Sequence, residues 1–219
     1  MTEDDVKFVS KIMRLGLVQS PCLELGCGYK EGVALKDLLI KAGIEHVGSD
    51  MIGGPKVDYV VNFENNDITI ERSFPGRPCF GTALALNVLE HTFEPIKVLD
   101  NVLSILRPGG SCVIVTPAVW PIHDYPKDCC RLLPNFYQEY CKSRKLRLLG
   151  DCFEYVGKGK ISEFCEKGNL RFPPPSTSKF SEMKSRIIHK LFNTTGKQAL
   201  FPSHVAIGCV IEKPGGIAT

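Results

Sequence analysis

The chain has 219 residues, is 43% hydrophobic and carries a formal net charge of +3. That length supports one sizeable core and is most simply a single domain, 1–219, while so small a net charge singles out no class of partner. No run of about 18 apolar residues occurs, which excludes a predicted transmembrane helix, and the acidic start MTEDDVKF is unlike a signal peptide, so a cytoplasmic protein is expected.

Val6, Val9, Ile12, Met13 and Leu17 recur at helical spacing and predict an amphipathic helix over 4–17, which either closes a ligand mouth or packs on a sheet. A first strand over about 21–25 runs into Gly26-Cys27-Gly28, and a helix follows through Leu35, Leu38, Leu39 and Ala42, ended by Gly43. Strands are predicted at 45–50, 57–61 and 80–87, the last an apolar run suited to burial on both faces. Residues 64–78 read as a polar connection. A helix over 94–106 turns Ile96, Leu99, Val102, Leu103 and Leu106 inward, and Pro108-Gly109-Gly110 separates it from a fifth strand, 111–116. Pro134 starts a helix to about 142. Residues 146–156 and 204–212 are the last two strands, expected as an antiparallel pair. Between them 158–200 form an insertion with Pro173-Pro174-Pro175 and a helix near 179–192. Strands alternating with helices define an α/β chain whose parallel sheet is covered on both faces.

The segment Cys22-Leu23-Glu24-Leu25-Gly26-Cys27-Gly28 joins an apolar strand to a tight turn, where a side chain at Gly26 or Gly28 would hold a ligand off the backbone. Asp50, ending the second strand, stands where a carboxylate accepts both hydroxyls of a ribose. A diphosphate site wants G-x-G-x-x-G/A, but the third position here is Glu31, and Gly32 comes one residue late. Glu24 and Asp50 instead suit S-adenosylmethionine (SAM), which has an ammonium, a sulfonium and a ribose but no phosphate.

The runs LELGCGYKEG, VGSDM, ALNVLEHTFEP and LRPGGSCVIVTP, in this order between about Pro21 and Pro117, resemble the class I SAM-dependent methyltransferases, in particular the type 11 group. The resemblance implies a Rossmann-like, seven-stranded, mostly parallel sheet with helices on both faces and the last strand antiparallel, and SAM as cofactor. Two positions depart from the pattern. Lys30 replaces the usual third glycine, and Asn62 replaces an acidic residue often found after the third strand, although an amide still accepts from the adenine amino group. Pro121 to Arg131 resembles a segment of members associated with glycan and sugar biosynthesis.

In such a sheet the ligand lies beyond the carboxyl ends of the strands. That rim carries Glu24, Gly26, Cys27, Gly28, Asp50, Asn62 and Asn87. Met51 is assigned to pack on adenine, Asn62 with Phe63 to the adenine edge, and Asn87 with the backbone near Leu89 to the methionine end. A hydroxyl acceptor must lose a proton, and histidine is the usual base near neutral pH. His123, oriented by Asp124 or Asp128, is the first candidate, and His91 is the second. Arg131 is read as an anion clamp, and Trp120 and Tyr125 as stacking surfaces for a sugar ring or base. His123, Asp124 and Asp128 match no specific metal spacing, so no metal site is predicted.

Ten cysteines, none at recurrent zinc spacing, read as reduced thiols. Residues 127–200 hold 15 Lys or Arg against 7 Asp or Glu, and the remainder 12 against 17. The basic stretch is either a solvated surface or a site for a phosphate- or carboxylate-bearing substrate. Together these features predict an O-methyltransferase for a sugar, glycan precursor or other small polar acceptor. The alternatives are an RNA or protein methyltransferase, favoured by the basic stretch, and a non-catalytic partner protein with a SAM-binding fold. For nucleic acid, an aromatic-rich module or long basic tail would be expected, and neither is present.

Overall fold

The protein is described by a computed structural model covering residues 2–28, 35–120, 123, 127–157, 187 and 205–215. The strands are β1 (Cys22–Leu25), β2 (His46–Asp50), β3 (Tyr59–Val60), β4 (Phe80–Leu86), β5 (Leu106–Val119), β6 (Arg147–Leu148), β7 (Glu154–Gly157) and β8 (Val205–Glu212). The helices are α1 (Glu3–Arg14), α2 (Leu35–Lys41), α3 (Ile70–Ser73), α4 (Pro95–Ser104) and α5 (Pro134–Arg144). All eight strands form one sheet in the order β3-β2-β1-β4-β5-β8-β6, with β7 also on β8. β1 to β5 pair in parallel, and β8 runs antiparallel to β5, β6 and β7. The chain works outward from β1 to β3 and then resumes on β1's other side with β4, so the carboxyl ends of β1 and β4 flank the crevice where such sheets bind ligands.

Alternate residues of the strands feed two cores. Ala83 and Ala85 of β4 join Leu99, Val102, Tyr137 and Cys141 of α4 and α5 on one face. Leu84 and Leu86 join Phe8, Val9, Ile12, Leu35 and Leu39 of α1 and α2 on the other. Burial on both faces explains why β4 reads as a continuous apolar run. Gly208 of β8 belongs to this packing: a Cβ there would lie 2.8 Å from the Phe8 ring.

The structure corrects several sequence-based boundaries. β5 begins at Leu106, which pairs with Phe80, and the register shifts before Ser111 pairs with Thr82. Pro108-Gly109-Gly110 therefore bulges within a strand rather than separating helix from strand. Gly109 takes a left-handed φ of 75°, and its N–H donates to the Lys213 carbonyl at 2.9 Å. The sixth strand is broken by a 3-10 turn at Gly150–Cys152, so two short pieces share one edge of β8. The polar connection contains α3, capped by Thr69, and sends Phe74 into the core against Phe80. Ile96 is 47% exposed, because the buried stripe of α4 runs through Val98, Leu99, Val102 and Leu103. The expected insertion lies outside the described residues, Ile187 apart.

Candidate active site

At the end of β1 the chain turns at Gly26 with φ 64°, in the left-handed region that glycine enters without a steric penalty. A Cβ on Gly26 would stand 3.0 Å from Val88 Cγ2, and one on Gly28 would stand 3.0 Å from Asp50 Oδ2. The turn is thus bare of side chains because two neighbours already occupy that space. Asp50 binds it from β2: its Oδ2 accepts the Gly28 N–H at 3.0 Å and its Oδ1 accepts the Ile52 N–H at 3.1 Å. Each carboxylate oxygen has a second lone pair, so the group retains acceptor capacity for two hydroxyls. Met51 and Ile52 stand half-exposed beside it and offer apolar surface to a base. This bare turn, carboxylate and apolar ledge fit SAM's ribose and adenine.

Other assigned residues lie on the same rim with protein partners of their own. Glu24 is buried, and its Oε2 stands 2.8 Å from His46 Nε2, a partner the sequence reading did not include. Cys27 is buried and directs Sγ to the Lys56 carbonyl. Asn62 Oδ1 accepts the Glu64 N–H at 3.0 Å. Phe63 is a correction: its ring lies in the core near Phe74, which removes the side chain from the adenine edge. Leu89 is likewise a core side chain, leaving its backbone at the rim. Asn87 has a left-handed φ of 51° and donates from Nδ2 to Asp5 Oδ2 at 2.9 Å, so α1 reaches the rim.

Beyond Val88 a 3-10 turn, Leu89–His91, begins the second half of the site. The 127–131 segment is laced onto it: the Cys129 and Cys130 N–H groups both donate to the Glu90 carbonyl. His91 Nδ1 lies 2.7 Å from the Lys127 carbonyl, which makes that nitrogen the donor. Burial pushes the His91 imidazole below its ordinary pKa, favouring the neutral ring. The His91 and His123 rings meet edge to face, with centroids 5.0 Å apart. Asp128 Oδ2 accepts the His123 N–H at 3.1 Å and stands 3.3 Å from its Nδ1.

Arg131 requires a second correction. Its guanidinium forks onto both oxygens of Asp128 and also donates to the Cys130 and Trp120 carbonyls. The fork pulls the Asp128 carboxyl down to about 2. Arg131 is therefore the brace of the residue that orients His123, not an open anion clamp. Two further arginines of the basic stretch are paired in the same way, Arg144 with Asp100 and Arg147 with Glu212. Trp120 is half-buried, while Asp124 and Tyr125 lie outside the described residues.

Sequence reading missed Asp58, whose Oδ2 accepts the Gly48 N–H at 2.7 Å and fastens the loop after β2. It also missed Glu64, which accepts from the Thr92 hydroxyl and the Phe93 N–H. Neither belongs to a local motif, so no signal announced them.

No family model matches the sequence. Ubiquinone biosynthesis O-methyltransferase of Pseudomonas fluorescens is 29% identical over 111 residues, a match spanning 47% of this chain and 47% of that protein. A SAM-dependent methyltransferase from Archaeoglobus fulgidus shares the fold with a TM-score of 0.54, at 14% identity, over 96% of this chain and 95% of its own. The 1,6-didemethyltoxoflavin-N1-methyltransferase of Burkholderia thailandensis, with bound 1,6-didemethyltoxoflavin and S-adenosylhomocysteine, gives 0.57 at 11% identity over 96% and 78%. Sheet order and these likenesses show the fold that SAM-dependent methyltransferases share, and the sequence is similar to that O-methyltransferase over about half of its length. The expected Rossmann-like, mostly parallel fold is borne out, and SAM as cofactor accords with these likenesses.

Proposed function

We propose that the chain is a single-domain, cytoplasmic SAM-dependent O-methyltransferase acting on a sugar, glycan precursor or other small polar acceptor. The carrying observation is that two imidazoles meet at the carboxyl ends of β4 and β5, beginning three residues after the Val88 side chain that abuts the glycine turn. When bound, SAM supplies a methyl group on a sulfonium, already a good leaving group. Gly26, Gly28 and Asp50 hold its nucleoside end. The imidazole pair promotes loss of the acceptor's hydroxyl proton, with His123 as its oriented member through Asp128. The Pseudomonas relative is an O-methyltransferase, which supports oxygen as the methylated atom. Pairing of Arg131, Arg144 and Arg147 with acids weighs against these three arginines serving a nucleic-acid surface. The described cysteines are free thiols, which suits a reducing compartment.

Methyl-labelled SAM offered with hydroxylated sugars, phosphosugars, their amino analogues, RNA and protein tests this reading. Label is expected in the hydroxylated small molecules. Transfer only to RNA or protein would replace the acceptor class, and SAM binding without transfer to any acceptor would favour the non-catalytic partner.

A further inference from the structure

Glu90, His91 and His123 come from two loops that the sequence keeps more than thirty positions apart, yet one potential ligand atom of each lies within 4.8 Å of the others. We infer that these three side chains form a binding site for a divalent first-row metal ion, which takes the acceptor's hydroxyl oxygen. This rests on the reading of the acceptor as a hydroxyl compound.

Two imidazoles and one carboxylate suit ions such as Mn²⁺, Fe²⁺ or Zn²⁺ better than Mg²⁺, and three protein ligands leave positions for substrate and water. The supports behind the ligands are those a metal site needs. His91 is held by its Nδ1–H on the Lys127 carbonyl, which keeps the Nε2 lone pair on the side of Glu90. Asp128 holds the His123 ring from its Nδ1 side and is itself braced by Arg131, which assigns Nε2 of His123 as the ligand nitrogen. Ligands about 2.1 Å from one ion stand roughly 3.0–3.5 Å apart. Glu90 Oε1 and His91 Nε2 are 3.7 Å apart, so that pair needs little adjustment. His123 is the more exposed ligand and supplies the remaining movement. Glu90 is 1% exposed, and an ion beside it offsets part of the cost of burying its carboxylate.

The chemistry balances without a further reactant. A hydroxyl bound to the ion loses its proton to solvent more readily. Its oxygen then forms a bond to the methyl carbon as the carbon–sulfur bond breaks, and the electron pair of that bond stays on sulfur.

The test uses the full chain, stripped with a chelator and titrated with Mn²⁺ or Zn²⁺ against a competing indicator dye, alongside SAM binding. One ion per chain is expected. His123→Ala, at a half-buried position, and the isosteric Glu90→Gln should each weaken binding at least tenfold while SAM affinity is kept. Equal ion binding by parent and both variants, or no stoichiometric binding by the parent, overturns the site. Methylation of a hydroxyl acceptor by chelator-stripped protein at the parent's rate also overturns it, while leaving the acceptor reading intact. One ion bound with transfer only to amines supports the site and removes the acceptor reading instead.

Discussion

The two halves of the rim are built differently. The half proposed for the cofactor, at β1 and β2, is made of backbone and glycine: Gly26 in a left-handed turn, Gly28 against Asp50, and Gly48 beneath Cys27. The half proposed for the acceptor, at β4 and β5, is made of side chains that brace one another, from Arg131 to Asp128 to His123 to His91. The first half fixes a shape and the second fixes a chemistry. Substitutions in the two should therefore separate binding from turnover.

The widest separation is expected from His123→Ala. Turnover should fall about 10²–10⁴-fold, the usual worth of a positioned group that promotes loss of the acceptor's proton, with SAM affinity unchanged by calorimetry. Near-normal turnover would collapse the distinction by making the acceptor half structural. Asp50→Ala should do the converse. Losing two charge-assisted bonds costs about 2–4 kcal/mol, so SAM affinity should drop at least tenfold while circular dichroism shows the fold intact. An Asp50→Ala protein that binds SAM like the parent would show that the cofactor lies elsewhere.

Gly48→Ala sharpens the claim that the cofactor half is a matter of shape. The added Cβ would lie 2.5 Å from the Lys56 carbonyl oxygen and 2.8 Å from Cys27 Sγ. Overpacking of this kind costs about 1–3 kcal/mol, read as a lower denaturant midpoint. An unchanged midpoint would mean that the loop after β2 yields freely.

The smallest effect is expected far from either half, at Asp100. Arg144 and the Tyr140 hydroxyl hold its carboxyl below the usual range. A depressed folded-state pKa means that the stabilisation is present above the unfolded value and is lost as pH falls through the folded one. Asp100→Asn should therefore lower stability at neutral pH by less than about 1 kcal/mol, since the pair is exposed. The difference from the parent should vanish on acidification below the carboxylate range. A deficit that persists there would indicate lost packing rather than lost charge.

Legibility in the sequence follows the same division. Gly26, Gly28 and Asp50 announce themselves because a tight turn and a strand end restrict residue type locally. The sheet was readable because buried strands are apolar on both faces, as β4 is. The Glu24–His46 pair was not, since its members are adjacent only once β1 and β2 align. His91 and His123 were visible singly, but their meeting depends on how the 127–131 segment ties to the Glu90 carbonyl. Arg131 was misread because its partner Asp128 lies three residues away in a loop, where spacing implies no fixed face. The bulge at Gly109 and the break at Gly150–Cys152 depend on pairing with β4 and β8, which spacing alone does not encode.

The first turn of α1 has a practical consequence for protein engineering. Asp5 is buried, closes a capping box with Thr2, and also receives the amide of Asn87 at the end of β4. The opening residues are thus tied to a left-handed backbone position beside the proposed site. Trimming residues 2–5 to obtain a neater fragment would remove the acceptor of the Asn87 side-chain amide. The shortened protein would read in an assay as a mutant of the β4 loop, although no residue of that loop had been changed.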